Sequence, residues 1–296
     1  MTRGILIGLS VTLCVAGADA PRRIVPLSPN VAEMLYGIGA FSQYGIGAFS
    51  QVVGVSDYSA YPPEARKLPS VGGWANPNLE KVAALRPDLV IVDDAQATLV
   101  GDNLNKLGLR VMTVKDHTIQ ESYGAMAALG QASGHEAAAA KLIAATREGL
   151  ERVARQTAAL AKPSVVLIVD RTPGTLRELY TATSGGYLAE LVQIAGGRMA
   201  IAAVPGGYGK LSPEDLLAAN PDWILDFIPA NSGGAGGGPG GRLAGDPLQA
   251  WSGMPELKAV RNHQIRVVSE DYVVHSSQRM VETAQLFARL IHPGLK

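Results

Sequence analysis

The chain has 296 residues, more than one hydrophobic core usually serves, so two lobes are the default expectation. Hydrophobic residues make up 47% and charged residues 18%, which suits a folded core and excludes a wholly disordered chain. With 26 Lys/Arg against 26 Asp/Glu the formal net charge is zero, and no basic run stands out, so neither nucleic acid nor an anionic membrane surface is a candidate partner.

The first residues differ from the rest. Arg3 precedes an apolar run from Gly4 to Gly17, and small residues (Ala16, Gly17, Ala18, Ala20) close it. That is the layout of a secretory signal peptide, residues 1–18, cut after Ala18, and the run is too short for a membrane span. A buried N-terminal helix or strand is the alternative. Cys14 is the single cysteine and lies inside the run; as a lipid-attachment site it is disfavoured by Leu13, which is larger than the small residue such sites take. Removing the signal leaves a mature chain with no disulfide and no thiol chemistry.

Short β-branched runs then alternate with helix-like segments. Arg23–Leu27, Val52–Ser56, Leu89–Val92 and Arg110–Val114 read as buried strands. Val31–Tyr36, Asn78–Leu85 and Ser122–Ser133 read as helices, and the alternation predicts parallel sheets covered by helices. From His135 to about Ala161 the sequence is Ala-rich and free of proline, with high helix propensity. Pro163 ends it and a new strand, Ser164–Asp170, follows. This predicts a rigid rod at 135–162 between an N-terminal α/β lobe (21–134) and a C-terminal one (163–296), rather than a surface helix within one domain.

An internal repeat supports two lobes. Asn78 to Ile91 recurs in outline as Ser212 to Leu225: an N-cap residue, a Glu in the first turn, an apolar helix, a Pro-Asp turn and a strand. Ser232–Gly241 is nearly all glycine and reads as a mobile loop, with no Lys-Ser or Lys-Thr to make it a phosphate loop. Tyr36–Gln43 is copied in tandem as Tyr44–Gln51, a local duplication placed between a helix and the next strand.

Catalysis has no specific support. The five histidines lack metal-ligand spacing, Ser184-Gly185-Gly186 lacks the glycine that a nucleophile elbow needs, and Asp93-Asp94 reads as a solvated turn more readily than as a metal or acid/base pair. Aromatic residues are 5% of the chain, yet several follow predicted strands: Tyr58 and Tyr61 before Pro62-Pro63, Trp74 after Gly72-Gly73, Tyr208 after Gly206-Gly207, Tyr272 after Glu270-Asp271. Loops at the carboxyl ends of parallel strands line ligand crevices, and aromatic rings there offer flat contact area.

Arg23 to Asn30, Val52 to Tyr58 with Pro62-Pro63, Val71-Gly72-Gly73-Trp74, and Asn78-Leu79-Glu80 running into Pro87-Asp88-Leu89-Val90 resemble the first lobe of an ABC-importer substrate-binding protein. The family is the one with a rigid helical backbone that binds vitamin B12, ferric siderophores or haem. Thr183-Ser184-Gly185, Gly196-Gly197, Leu211 to Glu214, Ala259 to Asn262 and Ala288 to Pro293 continue the match. The resemblance implies an α/β fold of two Rossmann-like lobes with mostly parallel sheets, joined by one long helix. It implies a non-enzymatic, periplasmic protein without a cofactor, acting as a monomer. That protein captures a corrinoid or ferric siderophore and delivers it to a membrane permease. Position by position it assigns ligand contact to Tyr58, Trp74 and Tyr208, polar contact to Asp271 and Arg279, a place at the first lobe's lip to Pro29, and permease docking to Glu80 and Glu214. B12 fits these aromatic positions best. Haem would take Tyr58, Tyr208, Tyr272 or His275 as its ligand, and a divalent-metal receptor would need clustered His/Asp/Glu.

Overall fold

The computed structural model describes residues 20–39, 51–228 and 246–295. The signal segment 1–18, Cys14, most of the tandem duplication and the glycine-rich stretch 232–241 lie outside the described residues.

The first lobe is built on a parallel sheet of β1 (Ile24–Pro26), β2 (Leu89–Asp93) and β3 (Val111–Val114), in that order. All residues of β1 and β2 are buried, which is why both read as continuous apolar runs rather than as alternating ones. The expected strand Val52–Ser56 forms isolated bridges only. Val52 bridges to Ile24, but three residues later Val55 bridges to Ser70, so the segment crosses between two neighbours before a ladder can form.

Helices α1 (Pro29–Gly37), α2 (Leu79–Ala84), α3 (Asp94–Lys106) and α4 (Ile119–Ser133) cover this sheet. The reading of Asp93-Asp94 as a solvated turn is corrected. Asp93 is buried and caps α3, accepting from the Gln96 N–H at 2.7 Å. A β-strand that ends directly in its own N-cap leaves no turn residues for the sequence to show. Thr118 and Glu121 form a capping box at the start of α4, and Gly134 ends it in the left-handed conformation at φ 75°.

The long helix α5 (Glu136–Thr157, 22 residues) starts two residues later and folds back on α4. At 1.5 Å per residue it is roughly 33 Å long. Beyond it lies the second sheet: β4 (Ser164–Asp170), β5 (Tyr180–Ala182), β6 (Arg198–Met199), β7 (Tyr208–Lys210), β8 (Trp223–Phe227) and β9 (Ile265–Val268). Its order is β7-β5-β4-β8-β9, with β6 also on β4. The strands β4, β8 and β9 run parallel, whereas β5 is antiparallel to both β4 and β7. This lobe carries α6 (Tyr187–Ile194), α7 (Pro213–Ala219), α8 (Lys258–Arg261) and α9 (Met280–Ile291).

The internal repeat is physical. Asn78 and Ser212 cap α2 and α7, each accepting from the N–H three residues on. Each Pro-Asp turn then does the same job in its own lobe. Asp88 accepts from the N–H groups of Arg22 and Arg23 ahead of β1, and Asp222 accepts from the N–H of Ser164 at the start of β4. Lys258, hydrogen-bonded to Asp222, holds that carboxyl down at about 2.

Candidate functional site

The carboxyl ends of β1, β2 and β3 in one lobe, and of β8 and β9 in the other, open onto one cleft of about 1520 Å³. That is larger than the roughly 300–1,000 Å³ of ordinary small-molecule sites. Pro29, Tyr58, Trp74, Tyr208, Asp271 and Arg279 all line it. Glu80 and Glu214 do not; both are exposed, in the first turns of α2 and α7.

Each aromatic side chain is held differently. Trp74 Nε1 donates to Asp93 Oδ2 at 2.7 Å, and its main-chain carbonyl accepts from Gln96 Nε2 at 2.7 Å, so the start of α3 holds both the indole and its backbone. Burial raises the Asp93 carboxyl above the ordinary value, against the pull of the Trp74 and Gln96 hydrogen bonds. Tyr58 is 51% exposed, its ring free at the cleft mouth. Tyr208, on β7, stacks on Tyr180 of β5 with centroids 6.4 Å apart and planes at 8°. Burial pushes its hydroxyl well above the ordinary tyrosine value.

The polar pair has partners within the protein as well as a place on the cleft. Arg279 NH1 lies 3.6 Å from Asp271 and 3.3 Å from Glu33, and NH2 lies 3.3 Å from Glu282. Its guanidinium also sits over two rings, Tyr61 at 4.4 Å and Tyr272 at 4.5 Å. The forked donor set is therefore already engaged by protein acceptors.

Several cleft residues escaped the sequence reading. Asp116 and His117 follow β3, so the rule that placed aromatics at strand ends could have found them. Asp116 accepts from Asn30 Nδ2 and Ser276 Oγ, one from each lobe, and burial pushes its carboxyl up to about 6. His117 Nε2 pairs with Asp94 at 2.9 Å. Burial opposes protonation of His117, but the hydrogen bond and charge of Asp94, with Asp116 and Glu121, raise its pKa above the ordinary value. Tyr180 sits on an antiparallel strand whose pairing no local pattern announces.

The lining carries Asp57, Asp93, Asp116, Glu270 and Asp271 against Arg66 and Arg279, an excess of carboxylates. Among the described residues no group of three or more His, Cys, Asp or Glu is arranged to hold a metal ion. Nor is any described helix long and apolar enough to cross a membrane.

Comparison with known proteins agrees with this architecture. The chain is 28% identical over 282 residues to an ABC transporter substrate-binding lipoprotein of Bacillus subtilis, covering 92% of this chain and 81% of the relative. It is 30% identical over 221 residues to the vitamin B12-binding protein of Salmonella typhimurium, covering 74% and 77%. Among solved structures, the periplasmic vitamin B12-binding protein of Vibrio cholerae superposes with a TM-score of 0.72 at 23% identity, over 92% of this chain and 97% of that one. A periplasmic haem-binding protein of Pseudomonas aeruginosa gives 0.75 at 24%, over 93% and 94%. Both share the two-lobed fold. A family model described as periplasmic binding protein spans residues 24–272, from β1 through both sheets, and the chain belongs to that family.

Proposed function

We propose that this chain is the substrate-binding component of an ABC importer, that it is not an enzyme, and that its ligand is a corrinoid. It works in the periplasm as a monomer, with lobes at 21–134 and 163–296 and the linking segment at 135–162. One observation carries the choice of ligand. Rings from both lobes (Tyr58, Trp74, Tyr180, Tyr208) line an oversized cleft whose ionisable groups are mostly carboxylates, with Arg279 already paired. A large, amphipathic ligand without net negative charge fits such a lining. A ferric siderophore of anionic type meets like charge there, which costs affinity.

Glu80 and Glu214 stand one per lobe outside the cleft, at repeat-related positions, and suit docking on a two-fold permease through paired charges. The test of the ligand is titration of the mature protein with cyanocobalamin, followed by intrinsic tryptophan fluorescence, with Trp74→Phe as the comparison. Saturable quenching at stoichiometric ligand is the expected result; its absence sinks the corrinoid reading.

Haem is the second reading, favoured by Tyr58. Of the four ligand candidates, His275 is bonded to Glu33, Tyr272 lies against Arg279, and Tyr208 is half-buried with its hydroxyl bonded to Tyr187, whereas Tyr58 is half exposed. A Soret band on adding haemin, lost in Tyr58→Phe, would establish it.

A further inference from the structure

Glu33, on α1 of the first lobe, is 1% exposed and does not line the cleft. Its Oε1 accepts from His275 Nδ1 at 2.9 Å and lies 3.3 Å from Arg279 NH1, and its Oε2 accepts from Ser277 Oγ. Its main-chain carbonyl accepts from Gln278 Nε2 at 2.8 Å. One turn earlier on the same helix, Asn30 Nδ2 donates to Ser276 Oγ at 3.3 Å, and Ser276 Oγ donates to Asp116. Every residue from His275 to Arg279 thus bonds to the first lobe, although the segment leads from β9 into α9 of the second.

The packing is as close as the bonding. A methyl group on Gly37, at the end of α1, would meet Leu142 of α5 at 2.7 Å and Gln278 at 3.1 Å. The Arg279 guanidinium is sandwiched between Tyr61 of the first lobe and Tyr272 of the second. A buried carboxylate cannot lose its partners cheaply, so the charge on Glu33 dictates where these donors stand.

We propose that Glu33 is a positioning residue that holds the His275–Arg279 wall of the cleft on the first lobe. His275, Ser276 and Arg279 line the cleft, so this wall is a fixed floor carried by α1.

Hydrogen exchange on the ligand-free full chain tests this without reference to the ligand. In Glu33→Gln and Arg279→Gln, exchange of the 272–283 amides rises by about tenfold while the β4 and β8 amides keep their protection, because only the local opening becomes easier. Arg279→Lys, which keeps the charge, gives a smaller rise. Unchanged exchange in all three variants overturns the proposal, and so does an equal rise in β4 and β8, which marks general loosening. If Glu33→Gln does not fold, Ser277→Ala and Arg279→Lys are read in the same way. A second measurement rests on the corrinoid reading: Glu33→Gln weakens cyanocobalamin binding by about tenfold although Glu33 does not touch the cleft. Wild-type protein that fails to bind cyanocobalamin defeats the corrinoid reading alone, and the exchange data still decide the role of Glu33.

Discussion

Asp116 shows how one residue couples the cleft to pH. Its carboxyl is raised from 3.8 to about 6 by burial, so between those values the folded chain holds a proton that the unfolded chain has released. Stability from this group is complete below pH 3.8 and is lost as pH rises through about 6. Two pKa units correspond to roughly 3 kcal/mol. Asp116→Asn should flatten the dependence of Tm on pH between 4 and 7 and raise Tm at pH 7. Parallel wild-type and variant profiles would show that the carboxyl is not titrating there. The residue types that announce themselves in sequence were aromatic; Asp116 did not, because the burial that raises its proton affinity, against the hydrogen bond from Ser276, is created by packing of distant parts of the chain.

Among elements, the α4–α5 hairpin depends on a contact that propensity scales oppose. Alanine is preferred over glycine inside a helix by about 1 kcal/mol, yet Gly130 sits within α4. A Cβ there would lie 2.4 Å from the Ala139 methyl, which is fixed to the α5 backbone and cannot rotate away. Gly130→Ala should therefore destabilise the protein, by about 1–2 kcal/mol net once overpacking is set against propensity. Denaturant unfolding measures it, and a gain in stability would contradict the packing. Helices α2 and α7 permit the opposite kind of test. Their first-turn carboxylates Glu80 and Glu214 are exposed, and each helps its helix by about 0.3–1 kcal/mol through the dipole. Reversing both to Arg should leave cyanocobalamin affinity unchanged and abolish stimulation of the permease ATPase; retained stimulation removes these residues from the docking surface.

For the whole molecule, the tandem copy Tyr44–Gln51 asks how insulated the cleft is from the rest. Pro29 and Asn30 at the start of α1 line the cleft, and the nine-residue helix carries the chain roughly 13 Å away before the second copy begins at Tyr44. Gln51 is buried, donating to the carbonyls of Pro21 and Ser133. After deletion of Tyr44–Gln51, Gln43 stands in the same local sequence and can take over both bonds. Affinity for cyanocobalamin should then stay within about tenfold of wild type, since none of Pro21, Gln51 and Ser133 lines the cleft; a larger loss means the insert shapes the cleft.

The sequence by itself determined the class of fold, because burial on both faces writes continuous apolar strands, and N-caps with Pro-Asp turns punctuate them twice over. It also brought Pro29, Tyr58, Trp74, Tyr208, Asp271 and Arg279 together through a resemblance, and all six line the cleft. Tertiary structure alone decided what those residues are free to do. Helix α3 was hidden because its cap is the last residue of a strand, and the mixed second sheet because antiparallel β5 is fixed by partners far along the chain. Arg279 read as a donor to ligand, yet it is engaged by Glu33, Asp271 and Glu282. Spacing along a chain can place a charge in a cleft, but only the packed neighbours show whether that charge is already answered.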